Sequence, residues 1–137
     1  MHGLIQEDNG EEHVRLSTEL EHAAALEPRQ VRIQIMAAGV RGSDLSCVHG
    51  KYYMPTPLVP GHEAAGVVIE VGSAVTYCTL GDHVVLSTFG NCGHCPVCEG
   101  GSPGNCGFGG LRYTHVEGEQ QLWGFANLGA FAQETIV

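Results

Sequence analysis

Positive charge is the scarcest property of this sequence. Six Lys and Arg residues stand against 15 Asp and Glu, and the net charge is −9. A nucleic-acid partner is thereby excluded, because binding phosphates needs a basic stripe that so few cations cannot build. Long apolar runs are missing as well. No stretch approaches the roughly 20 consecutive residues of a membrane span, and the opening MHGLIQEDNGEEH lacks the basic and apolar regions of a secretory signal. The expected location is the cytoplasm, where clustered cysteines bind metal in preference to forming disulfides. A dinucleotide-binding G-x-G-x-x-G is also lacking. Its nearest beginning, Gly107-Phe108-Gly109, reaches Arg112 where the third glycine should stand.

What is present describes a folded, turn-rich chain. Apolar residues make up 43% and charged ones 15% of 137 residues, which suits one domain with a core of its own. Twenty glycines and six prolines imply frequent turns and short strands. After Pro28, VRIQIMA alternates Val31, Ile33 and Ile35 with Arg32, Gln34 and Met36, the period of a half-buried strand. AAGVVIEVG (64–72) reads as a β-branched strand bounded by glycines, GDHVVLST (81–88) as a turn feeding another, and GAFAQETIV (129–137) as a closing strand. The three prolines of KYYMPTPLVPG (51–61) make that segment a loop. LSTELEHAAALE (16–27) fits either a helical turn or two, or a strand and loop. The expected fold is mainly β, a barrel or sandwich carrying a cysteine-rich excursion.

That excursion is NCGHCPVCEGGSPGNC (91–106). Cys92, Cys95, Cys98 and Cys106 stand at spacing C-x₂-C-x₂-C-x₇-C. Two-residue gaps let successive thiolates converge within one turn, and the longer return lets Cys106 close a tetrahedron, the geometry zinc accepts from soft sulfur ligands. Glycines 93, 100, 101, 104 and 107 permit the tight path and leave amide hydrogens free to approach sulfur. An iron–sulfur cluster fits less well, because the common ferredoxin run has a three-residue final gap followed by proline. Redox-active C-x-x-C calls for a βαβ context that is not apparent. Four thiolates leave zinc no open position, so the expected metal is structural. His94 inside the lobe is expected to face solvent. Cys47 and Cys78 read as small buried hydrophobes. His2, His13, His22, His49, His83 and His115 share no metal-like spacing, and Glu11, Glu12, Glu117 and Glu119 read as solvated faces.

AAGVRGSDLS (37–46), GHEAAGVVIEVG (61–72), GDHVV (81–85) and the cysteine lobe occur in an order and spacing that resemble zinc-containing, medium-chain alcohol dehydrogenases. The resemblance covers residues 31–106 and extends to the closing strand. It implies a GroES-like β-barrel with short helices over residues 1–137, and a structural zinc lobe at about residues 90–107. In that family a second, catalytic zinc polarises an alcohol while hydride passes to NAD or NADP. Carried over residue by residue, His62 matches a histidine ligand of that zinc and Glu63 the neighbouring acid that can approach the metal. Ser43 matches the hydroxyl that takes the substrate's proton, and Asp44 an aspartate supporting the site. On chemistry alone, Ser43-Asp44 also reads as a turn in which the aspartate caps its own backbone, and His62 equally as a structural histidine.

Two departures accompany the resemblance. Arg41 stands where the family pattern has a cysteine ligand, and a guanidinium has no lone pair to give a metal. No cysteine follows Cys106. The expected chemistry is therefore that of a catalytic-domain portion of an NAD(P)-linked alcohol/aldehyde oxidoreductase, incomplete or inactive alone, with the Rossmann cofactor domain absent from these residues. Its expected partners are that cofactor domain or a second copy of the chain, and a small alcohol or aldehyde if active. The rival expectation is a stand-alone, zinc-stabilised β-module for protein association, its dehydrogenase activity lost.

Overall fold

The computed structural model describes residues 1–8, 13–20, 25–51, 56–88, 91–106 and 129–137. Its centre is a four-stranded antiparallel sheet built from β3 (Val31–Ala38), β4 (Ala64–Val71), β5 (His83–Leu86) and β6 (Glu134–Ile136), in the order β5-β4-β3-β6. A second sheet pairs β1 (Gly3–Gln6) with β2 (Val14–Ser17). Single bridges tie this hairpin to the rest, Gly3 to Ala132 and Gln6 to Leu58. Among the described residues the helices are short: α1 (Gly42–Val48), α2 (Pro96–Glu99) and a 3₁₀ turn at Pro103–Asn105. The chain is mainly β, as its punctuation implied.

The alternation read in VRIQIMA holds. Val31 and Ile33 are each 2% exposed and pack with Val68 of β4, while Gln34 and Met36 face outward. Fully burying side chains of this size stabilises by about 1.5–3 kcal/mol each. Ile35, Val75, Cys78, Val84 and Leu86 extend the cluster, so Cys78 does serve as a small hydrophobe, half-buried at its margin. Cys47 is buried against Leu58 in a separate cluster.

Several local expectations are corrected or sharpened. Ser43 and Asp44 lie not in a simple turn but in the first turn of α1. Of the undecided segment 16–27, Leu16 and Ser17 end β2, and 21–24 fall outside the described residues. So do Glu11, Glu12, His22, His115, Glu117, Glu119 and the 107–112 run. The proline-rich loop is irregular where it is described, apart from the bridge at Leu58, and its Thr56–Pro57 peptide is cis.

Register, more than any single residue, positions the functional region. In the β3–β4 ladder, Ala38 pairs with Ala64, and Ala64 pairs in turn with Leu86 of β5. The chain leaving β3, the chain entering β4 and the chain leaving β5 therefore converge at one end of the sheet. Arg41 and α1 follow β3 there, His62 and Glu63 precede β4, and Thr88 follows β5 just before the cysteine lobe. The Gly39 amide donates to the Glu63 carbonyl at 2.9 Å, continuing the ladder past the strand ends.

Candidate functional site

At that end of the sheet Asp44, His62 and Ser43 form a hydrogen-bonded chain. Asp44 is 4% exposed and His62 3% exposed. The His62 Nδ1 lies 3.0 Å from Asp44 Oδ1, and Nε2 lies 3.2 Å from Ser43 Oγ. A carboxylate only accepts, so the Nδ1–H donates to Asp44, which leaves Nε2 facing the Ser43 hydroxyl. The second Asp44 oxygen accepts the Arg41 backbone N–H at 2.7 Å. Asp44 is the third residue of α1 and reaches back to the residue ahead of the helix, satisfying an amide that the helix itself leaves unpaired. One buried carboxylate thus holds both the helix start and the imidazole. The Thr88 hydroxyl donates to the His62 carbonyl at 2.9 Å, pinning the backbone from the β5 side.

Arg41 and Glu63 meet above this chain. The Arg41 Nη1 donates to Glu63 Oε1 at 2.8 Å, with the two side chains 58% and 45% exposed. An ion pair this open contributes little to stability. Its effect there is electrostatic, a fixed cation held against the Glu63 carboxylate.

The cysteine lobe gathers its four sulfurs. The Sγ atoms of Cys92, Cys95, Cys98 and Cys106 all lie within 4.8 Å of one another. The separations are 3.4 Å for Cys95–Cys98, 3.7 Å for Cys92–Cys106, 3.9 Å for Cys95–Cys106 and 4.0 Å for Cys92–Cys98. A tetrahedron of zinc–sulfur bonds near 2.3 Å has edges of about 3.8 Å, so the four thiols fit that ion. The path has local causes. Cys95 stands ahead of α2, whose first residue is Pro96, a position where proline's missing N–H costs nothing. Gly93 and Gly101 turn at φ +76° and +81°, which side chains resist. The Cys92 amide donates to Cys106 Sγ at 3.4 Å, as expected of a glycine-rich thiolate site. The Cys98 amide holds the Cys95 thiol below its ordinary value, whereas desolvation, reinforced by the Cys95 thiol, pushes Cys98 up to about 12. A thiol gives its proton to solvent when it becomes a metal ligand, so metal binding at such a cluster depends on pH. His94 is exposed, its Nδ1 2.6 Å from the Cys92 carbonyl oxygen, apart from the sulfurs.

The structure thus brings together Ser43, His62 and, beside them, Glu63, and separately the four cysteines. Cys47 is not drawn into either group. Asp44 carries more of the site than its sequence context suggested, because its two oxygens serve two elements at once. Thr88 has no sequence signal, since its partner is a backbone carbonyl 26 positions away.

Residues 27–137 match the model of the alcohol dehydrogenase GroES-like domain. Among curated proteins, geraniol dehydrogenase of Castellaniella defragrans is 44% identical over 101 residues, covering 69% of this chain and 26% of the relative. Among solved structures, alcohol dehydrogenase TADH from Thermus sp. ATN1 superposes with a TM-score of 0.82 at 30% identity, over 100% of this chain and 37% of that one. A cobalt- and zinc-bound thermostable alcohol dehydrogenase from Pyrobaculum aerophilum does so with a TM-score of 0.77 at 32% identity, over 100% and 39%. The chain spans about a quarter of the first of these relatives and under two-fifths of the others.

Proposed function

Because this chain belongs to the GroES-like domain family of alcohol dehydrogenases, we propose that it supplies the substrate-facing part of an NAD(P)-linked alcohol/aldehyde oxidoreductase. The observation that carries this reading is the Asp44–His62–Ser43 chain, with links of 3.0 and 3.2 Å. In oxidation, a substrate hydroxyl at Ser43 gives up its proton as hydride leaves its carbon. The Ser43 hydroxyl passes a proton to His62 Nε2, and Asp44 stabilises the imidazolium through Nδ1–H. A nicotinamide cofactor, held by a Rossmann domain beyond the described residues, would supply the hydride acceptor. Ser43 and His62 are the proton-carrying residues, and Asp44 positions them. The working compartment is the cytoplasm, where thiols remain available for metal.

Cys92, Cys95, Cys98 and Cys106 would hold a structural zinc, supported by sulfur separations that match its tetrahedron. With four thiolates as its ligands, such an ion would shape the lobe and would have no position left for a substrate. The test is reconstitution. The chain fused ahead of a relative's cofactor domain should oxidise a primary alcohol with NAD or NADP, and Ser43→Ala should lower kcat at least tenfold with little change in KM. Unchanged turnover by S43A would remove Ser43 from the proton path.

A second reading, a zinc-stabilised β-module for association, is favoured by the 84% exposure of Val85 on the edge strand β5. Sedimentation separates the two, since association through that edge should weaken in Val85→Lys, while a V85K chain that sediments like the parent leaves the module reading without support.

A further inference from the structure

His62 and Glu63 sit where the resemblance leads one to seek a second metal, and the residues there do not fit one. The guanidinium of Arg41 offers five donors and no lone pair. It lies 2.8 Å from Glu63 Oε1, so the acid that could approach a cation already faces one. Both ring nitrogens of His62 are engaged, one by Asp44 and one by Ser43. Among the described residues, the four cysteines are the group that brings three or more ligand atoms together.

We propose that this chain binds one metal ion and not two, and that Arg41 is what keeps the second out. Its fixed charge takes the cation's place at Glu63, the neighbour of His62, and makes the local electrophile a hydrogen-bonding guanidinium in place of a Lewis acid. A guanidinium favours oxygen anions and polarised carbonyl oxygens over a coordinated hydroxyl. Arg41 is more than half exposed, so it can turn toward such an oxygen without rupturing the core. No other described group supplies positive charge in contact with Glu63.

The test counts metal on the intact chain and does not depend on turnover. Cobalt(II) is the probe, because sulfur-to-cobalt charge transfer and ligand-field bands report the ligand set as well as the number bound. The parent should retain a single cobalt with a four-thiolate spectrum after desalting. Cys98→Ser should lose it, which tests the lobe on its own, since this inference rests on the lobe being the metal centre that is filled. Arg41→Cys removes the cation, releases Glu63 and adds a thiol; it should take up a second cobalt with its own thiolate band, and adding His62→Ala should remove that second ion. Arg41→Met, which removes charge without adding a ligand, should stay at one and controls for folding by circular dichroism. A parent chain that binds a second cobalt sensitive to H62A overturns the proposal. So does an R41C chain that folds like the parent yet stays at a single cobalt.

Discussion

Asp44 concentrates the consequences of single residues. Removing its carboxylate by Asp44→Ala would strand the Arg41 N–H and the His62 Nδ1–H, both of which it accepts. A buried donor such as His62 Nδ1–H left without a partner costs roughly 1–3 kcal/mol, and the part-buried Arg41 N–H costs less, so D44A should destabilise the chain by about 2–4 kcal/mol in urea. Asp44→Asn, which keeps one accepting oxygen, should cost about half as much. Equal urea midpoints for D44A and the parent would show that the carboxylate does not hold this end of the sheet. Cys47 gives a second prediction. Burial, with the Asp44 charge adding to it, raises its thiol from 9.0 to about 11. A raised folded-state value means the protonated thiol is favoured, so its stabilising effect is complete below pH 9 and disappears as pH rises through about 11. Alkylation by iodoacetamide at pH 9 should then be far slower in the native chain than in urea, and Cys47→Ala should flatten the alkaline loss of stability. Ser43 and His62 were legible as single points in the sequence. The Arg41–Glu63 pair was not, because its partners are 22 positions apart and meet only through the β3–β4 register.

Elements differed in how plainly the sequence announced them. Strand β3 could be read because its alternation survives intact, and the gathering of the four cysteines because they fall within one short run, where spacing alone favours convergence. Helix α1 could not. It has seven residues, opens on glycine and is preceded by Arg41, which gives no side-chain cap; what starts it is Asp44 reaching back. The β1–β2 hairpin was hidden for another reason. Its fully buried Gln6 is held by main-chain bonds to Leu58 and a side-chain bond to the Cys47 carbonyl, so the inward position is polar and breaks the expected alternation. Gly66 in β4 yields the test at this scale. A Cβ there would meet the Gln34 carbonyl and the Ile33 side chain across the ladder, and backbone of a central strand pair cannot move aside cheaply. Gly66→Ala should therefore destabilise by about 1–3 kcal/mol or more, measured by thermal unfolding, whereas Gly42→Ala, which meets nothing within 4 Å, should be close to neutral. Comparable losses in both variants would mean that glycine's backbone freedom, not the close approach of β3, accounts for Gly66.

Across the whole molecule, the sheet and the lobe are held by different forces. The sheet is closed by apolar packing around Val31, Ile33 and Val68. The lobe contributes Cys106 as its one buried apolar-class residue, and its helical turns α2 and Pro103–Asn105 pack chiefly on each other. A segment with so little apolar burial relies on cross-linking through its ligands, and for such segments metal binding is itself folding energy. Metal removal should thus uncouple the two parts. With a strong chelator, amide hydrogen exchange should rise sharply at Glu99, Gly100, Gly101, Ser102 and Cys106, whose N–H groups donate within the lobe. Protection across β3 and β4 should fall little, because their ladder and core lie outside it. Cys98→Ser should reproduce the chelated pattern without chelator. The opposite result, simultaneous loss of protection in lobe and sheet at one chelator concentration, would make the chain a single cooperative unit whose barrel depends on the metal. The expected outcome instead leaves Asp44, His62 and Ser43 in register when the lobe opens, since Thr88 and the β5 ladder anchor them from the sheet side.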